Sequence, residues 1–183
     1  MKFLLLLGVS GVGKSTIIKN LLGIDHKFVY IKPYTNRPLR PGEVEKNYMS
    51  TVELKKLISA GDILIMNKIY GFLYATPKNS IFECLANGKY PLLDFPIQRL
   101  AEVQKLLPNS IYSVYILPEN IEELKKRLTH GRINRLDFAI NEISSIEKKE
   151  LTGYDDVVIN YHGKSIETSN FIYNSFINSF NKA

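Results

Sequence analysis

The sequence predicts an α/β fold with a parallel central sheet and helices on both of its faces. Three observations carry that prediction. Largely apolar runs at 2–7, 90–94 and 111–117 have the length and composition of strands buried on both faces. Each run is followed by a stretch of helical character, and strand–helix alternation builds parallel sheets through crossover connections. The first run also ends in a glycine-rich loop that opens directly into a helix. A chain of 183 residues has enough length for one domain with a single sizeable core.

In chain order, Lys2 to Leu7 is the first strand, stopped by Gly8. The opening Met-Lys-Phe-Leu-Leu-Leu-Leu has a superficial likeness to a short signal peptide. It lacks a small-residue cleavage site and runs into the glycine loop, so it reads as a buried strand. Ser15 to Leu22 is a helix with Gly23 placed to stop it, and Phe28 to Ile31 is a short strand. Residues 32–47 form a polar loop holding Pro33, Pro38 and Pro41. Ser50 and Glu53 have capping-box spacing and start a helix that ends near Gly61. Residues 62–74 hold short strands around Gly71, and Thr76 caps a helix beginning at Pro77 and closing at Gly88.

Tyr90 to Asp94 is a buried strand ending in an acid, followed by a helix to about Leu107. Ile111 to Leu117 is the next strand, and Pro118 sits in the first turn of a helix reaching roughly His130. Arg132 to Lys149 is another helix, Asp155 to Ile159 a last strand, and the rest an amphipathic helix. The organisation expected is one domain over 1–183. Its core spans about 1–32 and 89–183, an inserted subdomain about 33–88, and a short lid about 127–136.

Composition narrows the function classes. Hydrophobic residues at 45% and charged residues at 23% exclude a disordered or fibrous chain, and no apolar run reaches the roughly 18 residues of a membrane span. A single cysteine excludes an internal disulfide, and His26, His130 and His162 lack zinc-ligand spacing. A soluble cytoplasmic protein, monomeric or homodimeric and without a membrane or nucleic-acid partner, is expected. The net charge of +6 rests mainly on dispersed lysines. The arginines are more informative: Arg37 with Arg40, and Arg127 with Arg132 and Arg135, are two candidate anion sites, because a guanidinium fork matches phosphate oxygens.

Gly8-Val9-Ser10-Gly11-Val12-Gly13-Lys14-Ser15 fits G-x-x-x-x-G-K-[ST] between a strand and a helix. The glycines let backbone N–H groups turn towards phosphate oxygens, and the helix N-terminus adds its positive dipole end. ATP or GTP binding follows, with Gly8, Ser10, Gly11, Val12, Gly13, Lys14, Ser15 and Thr16 as the nucleotide-binding residues. Lys14 reaches the β- and γ-phosphates, and the Ser15 hydroxyl meets Mg²⁺. The fold expected is therefore of the P-loop NTPase type, a three-layer sandwich.

Beyond that loop the sequence resembles the guanylate kinase family, over about residues 3–180. The family's T-T-R-x-x-R-x-G-E…Y motif appears as Thr35-Asn36-Arg37-Pro38-Leu39-Arg40-Pro41-Gly42-Glu43 with Tyr48. Its G-E-F-[LI]-E…G-x-Y-Y-G-[ST]-P stretch aligns without a gap on Gly61 to Ile65 and Gly71 to Pro77. The L-L-D-[ILV]-D-x-Q-G segment matches Leu92 to Arg99, P-x-x-x-x-x-L-x-x-R-L runs from Pro118 to Leu128, and R-L-x-x-A-x-x-E lies at Arg135 to Glu142. Tyr154, Asp155, Val158 and Asn160 carry a final Y-D-x-V-I-x-N.

The resemblance implies ATP-dependent transfer of the γ-phosphoryl group to the phosphate of a nucleoside monophosphate, with Mg²⁺ as cofactor. It implies that Arg37, Arg40, Tyr48 and Tyr74 hold the acceptor phosphate, beside Ile65 and Thr76 in the acceptor pocket. Lys14, Arg127, Arg132 and Arg135 would serve the transferring group, and Asp94 with Ser15 the metal. Asn160 stands where the family contacts the adenine of ATP. Plainer roles stay open: a strand-end cap for Asp94, a turn residue for Asn160, solvated helix faces for the lid arginines.

The match breaks where the family reads guanine. Its Ser or Thr, its Glu and its second Asp are replaced by Pro33, Ile65 and Pro96, while Thr76 is kept. Guanine N–H donors stranded against an apolar wall cost about 1 to 3 kcal/mol each. Altered base specificity is therefore expected. The lid is short, and His130 stands where the family has an arginine. A kinase of a phosphorylated sugar such as ribose 1,5-bisphosphate is the alternative enzyme; a non-catalytic guanylate-kinase-like interaction module is the alternative of another class.

Overall fold

The computed structural model describes residues 2–39, 42, 46–128 and 135–182. Strand β1 (Phe3–Leu7) lies at the centre of a five-stranded sheet, where all five of its residues are buried. It pairs in parallel with β7 (Tyr90–Asp94) on one side and β8 (Ile111–Pro118) on the other. Beyond these, β2 (Phe28–Tyr30) and β9 (Asp156–Asn160) form the edges, also in parallel, giving the order β2-β7-β1-β8-β9.

Alternation along β1 sorts its side chains into two core layers, because successive strand residues point to opposite faces. Leu4 and Leu6 share one layer with Ile17, Ile18 and Leu21 of α1 (Lys14–Ile24) and with Ile172 and Phe176 of α7 (Ser165–Asn178). Phe3, Leu5 and Leu7 share the other with Ile81 of α3 (Lys78–Ala86) and with Leu100 and Val103 of α4 (Leu100–Leu106). Two apolar layers on one sheet make the three-layer sandwich expected from the sequence.

A second sheet, in the order β4-β3-β6-β5, is built from residues between 34 and 77. Its main part is the antiparallel hairpin of β5 (Ile63–Ile69) and β6 (Phe72–Pro77). Tyr70 and Gly71 join them, both at positive φ (50° and 82°), which is the two-residue turn geometry that matches strand twist. Before the hairpin, α2 (Thr51–Ser59) opens with the capping box: Glu53 N–H donates to Ser50 Oγ at 3.3 Å, and Ser50 N–H donates to Glu53 Oε2 at 2.7 Å.

Local punctuation differs from the sequence reading at four places. The loop at 32–47 contains two short strands, β3 (Tyr34–Thr35) and β4 (Asn47–Tyr48), paired with each other in parallel. Thr76 and Pro77 complete β6 instead of opening a helix, since Pro77 pairs with Ile63 at the strand end, where the missing N–H is tolerated. Gly23 lies inside α1, which runs on to Ile24. Pro118 closes β8, and the Asn120 side chain starts α5 (Ile121–Leu128) by accepting from Glu123 N–H at 2.8 Å. Helix α6 spans Leu136–Glu147; Arg132 and the other residues from 129 to 134 lie outside the described residues. No helix among the described residues is long and apolar enough to cross a membrane.

Candidate active site

The loop between β1 and α1 is held in shape by close approaches that only glycine permits. At Gly8, with φ at 131°, a Cβ would lie 2.5 Å from the Ile116 carbonyl oxygen. At Gly13, with φ at 103°, it would lie 2.5 Å from Asn160 Nδ2. Lys14 folds back over the loop, its Nζ donating to the carbonyls of Gly8 and of Val9, the latter at 3.0 Å. The same ammonium lies 3.7 Å from Asp94 Oδ1, at the end of the neighbouring strand β7. Gly8, Ser10, Gly11, Gly13, Lys14 and Ser15 all border one large cleft. Val12 is fully buried and Thr16 points outward, so neither side chain borders it.

Asn160 has a different position from the one its motif implies. It is buried, and its Nδ2 donates to the Val12 carbonyl at 2.8 Å, bracing the loop from behind. Its Oδ1 is buried without a hydrogen-bond partner among the described residues. It does not border the cleft.

The side of the cleft expected to take the acceptor is organised around Arg37, which is buried just after β3 of the second sheet. Its Nε–H donates to the Tyr74 hydroxyl at 3.1 Å and its NH1 to the Pro38 carbonyl at 2.7 Å. Thr35 Oγ1 accepts from the Arg37 N–H at 3.1 Å while donating to the Leu73 carbonyl at 2.8 Å, which ties the arginine loop to β6. Arg37, Tyr74 and Thr76 border the cleft, as do Pro33 and Pro96. Two acceptor-side residues are placed elsewhere. Ile65 turns into the core layer that holds Leu93 and Phe95, and Tyr48 is exposed on the outer strand β4. Arg40 lies outside the described residues.

From the end of α5 and the residue before α6 come Arg127 and Arg135. Arg127, at the end of α5, donates from Nε to Glu123 Oε1 at 3.4 Å. Arg135 reaches Ser10 Oγ at 3.4 Å and lies over the Tyr70 ring, 4.4 Å from its centre. Both border the cleft.

Asn67, Tyr70, Arg99 and Glu142 are among the cleft residues that the sequence does not assign to the site. Glu142 accepts from the buried Tyr115 hydroxyl at 2.7 Å and from Gln98 Nε2 at 2.8 Å. Burial first, and Glu142 second, pushes the Tyr115 phenol far above its ordinary range, so it stays a donor. A signal for Asn67 is present in the sequence, since it is an amide that follows four apolar residues, two positions from Ile65.

The cleft encloses about 1310 Å³, more than the roughly 300–1,000 Å³ of a single small-molecule site. Its basic side chains, Lys14, Arg37, Lys46, Lys68, Arg99, Arg127 and Arg135, outweigh the acids Asp94 and Glu142. Such a cleft concentrates anions. Ser15 and Asp94 both border it and supply hydroxyl and carboxylate oxygens, the donor type that Mg²⁺ takes. Among the described residues no group of three or more His, Cys, Asp or Glu is placed to hold a metal. The pair therefore fits an ion that arrives with substrate phosphates and water.

Fold and cleft together define the class, a P-loop kinase. Comparisons with known proteins make it narrower. A family model described as guanylate kinase matches residues 1–177. A guanylate kinase of Chelativorans sp. (strain BNC1) is 33% identical over 162 residues, covering 86% of this chain and 74% of the relative. One of Clostridioides difficile (strain 630) is 33% identical over 159 residues, 84% of this chain and 77% of that protein. The solved guanylate kinase of Anaplasma phagocytophilum superposes with a TM-score of 0.75 at 26% identity, covering 94% of this chain and 83% of that one. A shikimate kinase from Acinetobacter baumannii, at TM-score 0.51 and 14% identity, shares the fold. The chain belongs to the guanylate kinase family, and is a phosphotransferase of the nucleoside monophosphate kinase class.

Proposed function

We propose that the protein transfers the γ-phosphoryl group of ATP to the phosphate of a nucleoside monophosphate whose base is not guanine. The observation that carries the transfer is the shared cleft: the Lys14 loop borders one part of it and the Arg37–Tyr74 pair another, with Arg127 and Arg135 beside them. An oxygen of the acceptor phosphate attacks the γ-phosphorus, and the bond to the β–γ bridging oxygen breaks, leaving ADP. A phosphate monoester is largely dianionic at neutral pH, so no side chain needs to remove a proton. Catalysis reduces to holding two polyanions in line and neutralising charge.

Arg37 and the Tyr74 hydroxyl hold the acceptor phosphate. Lys14 leaves the Gly8 and Val9 carbonyls for the donor phosphates, while Arg127 and Arg135 balance charge on the group in flight. Ser15 and Asp94 would hold Mg²⁺, which supplies further neutralisation of the phosphates when bound. ATP and the phosphorylated acceptor are the only partners this reading requires.

The altered base preference is supported by the walls. Pro33 and Pro96 border the cleft without side-chain donors or acceptors, and Ile65 brings no carboxylate to it. The test is catalytic efficiency with GMP, dGMP, AMP, CMP, dTMP, UMP and ribose 1,5-bisphosphate, each with Mg·ATP. A monophosphate other than GMP or dGMP should lead. A clear lead for either guanine nucleotide overturns the altered preference. A lead for the bisphosphate replaces the nucleotide with a phosphosugar, and no turnover with any of them points to an interaction module.

A further inference from the structure

Asn67 lies within β5, directly across the ladder from Tyr74. Residues paired directly in an antiparallel ladder send their side chains to the same face, with Cβ atoms about 4.5–5.5 Å apart. Both border the cleft, and Tyr74 is the partner of Arg37. Asn67 is thus one ladder rung from the acceptor-phosphate grip, and it is only 7% exposed.

Arg99 decides which end of the carboxamide faces the cleft. Its Nε–H donates to Asn67 Oδ1 at 3.1 Å, its NH2 donates to the Met66 carbonyl at 2.9 Å, and its NH1 is anchored on Glu102 Oε2 at 2.7 Å. A guanidinium only donates, so the end of Asn67 turned to it must be the oxygen. The other end, Nδ2, makes no hydrogen bond to any of the described residues. Two N–H donors are therefore held in one direction in a nearly dry wall. Pro33 and Pro96 beside them offer no side-chain polarity, and the Thr76 hydroxyl can turn to suit either donor or acceptor.

We infer that Asn67 reads the base of the acceptor through its Nδ2 donors, with Arg99 as the positioning residue, and that the base turns a carbonyl oxygen or an unprotonated ring nitrogen towards β5. The inference rests on the nucleoside monophosphate reading above and names the polarity of that substrate. It inverts the logic of a carboxylate reader: a carboxylate accepts from base N–H groups, whereas this amide can only be matched by an acceptor.

Asn67→Asp tests it, because the shape and the bond to Arg99 are kept while both donors are removed. Equilibrium binding of GMP, AMP, CMP, UMP and dTMP is measured by calorimetry on the wild type and the variant, beside turnover. The nucleotide bound best by the wild type should lose about ten- to a hundred-fold in affinity, the ranking should move towards GMP with its N–H edge, and ATP affinity should hold. Arg99→Met, which frees the carboxamide, should weaken the same nucleotide through KM more than kcat, and Arg99→Lys should restore part of it. An unchanged ranking in Asn67→Asp and Arg99→Met overturns the inference. If the binding ranking shifts between wild type and Asn67→Asp while the wild type transfers phosphate to none of the nucleotides, base reading stands and the kinase reading falls. If the wild type turns over and the ranking stays, the kinase reading stands and this inference falls.

Discussion

The guanidinium of Arg135 lies 4.4 Å from the centre of the Tyr70 ring and at the same time reaches Ser10 Oγ at 3.4 Å. One side chain thereby touches the turn of the β5–β6 hairpin and the glycine-rich loop. Tyr70 is at φ 50°, a conformation uncommon for an aromatic residue, and its ring also meets Phe138 edge-on at 5.7 Å. Burial raises the Tyr70 phenol above its ordinary value, and Arg135 only partly opposes this. The ring stays neutral and keeps its face for the cation.

Removing that face should loosen the link between the two substrate sites. Tyr70→Leu is expected to lower kcat by about 3- to 30-fold, the equivalent of a cation–π contact of roughly 0.5 to 2 kcal/mol. Tyr70→Phe should stay near wild type. Steady-state kinetics on both variants check this, and wild-type turnover in Tyr70→Leu would show that the contact has no part in transfer.

Lys14→Ala should cut turnover by about a hundred-fold or more, because a charge aimed at the phosphoryl group is lost from a preorganised site. The fold should survive, since Lys14 bonds to loop carbonyls and pairs with Asp94 beside an open cleft. Thermal unfolding beside the kinetic assay separates the two effects; full activity in a folded variant contradicts the assigned role.

Arg37→Ala should lower catalytic efficiency for the acceptor by about 2 to 4 kcal/mol, as a charged phosphate contact disappears. Affinity for ATP should barely move, because Arg37 lies in the loop after β3 and is bound to Tyr74 of β6. Calorimetry with ATP alone is the check: a collapse of ATP binding would mean that the two phosphate sites are assigned the wrong way round.

Gly13→Ala should cripple nucleotide binding and destabilise the protein by about 1 to 3 kcal/mol, from the backbone strain of a side chain at φ 103° together with the clash on Asn160. Adding Asn160→Ala removes the clash but not the strain, so the pair should cost less than the sum of the two single changes. Denaturant titration of the single and double variants measures the difference, and strict additivity would separate Gly13 from Asn160.

Ser50→Ala should destabilise the helix α2 end by about 0.5 to 2 kcal/mol. The hydrogen bonds from Ser50 lower the Glu53 carboxyl below its ordinary 4.5. A lowered carboxyl stabilises the fold above its ordinary value and loses that contribution as pH falls through its folded value. The difference between wild type and Ser50→Ala should therefore shrink on acidification below about pH 4.5. Melting curves from pH 3 to pH 7 test the sign, and a difference that grew in acid would contradict it.

Much of the site is legible in the sequence because its parts are local. Strand, glycine loop and helix follow one another at 3–24, and the loop's chemistry needs no distant partner. Arg37, Tyr74, Thr76, Asp94, Arg127 and Arg135 lie in stretches that match the family's motifs, and all border the cleft. Ile65 and Asn67 are harder. Both lie on one face of β5, but that face borders the cleft at Asn67 and runs into the core at Ile65. Alternation gives the face and not the depth along it. A register shift between Ile63 and Ile65 adds a local irregularity that no pattern of residue types announces.

By itself the sequence determined the parallel sheet and the phosphate loop, because apolar patterning and loop chemistry act over a few residues, and the family through the motifs it resembles. Only the tertiary structure decided that Asn160 braces the loop from behind, that Arg135 meets Tyr70, and that Asn67 offers donors to the cleft. Each of these depends on a partner distant in sequence: Val12 for Asn160, the β5–β6 turn for Arg135, and Arg99 for Asn67. A hydrogen bond has a direction, and that direction is set by whichever group the fold brings alongside.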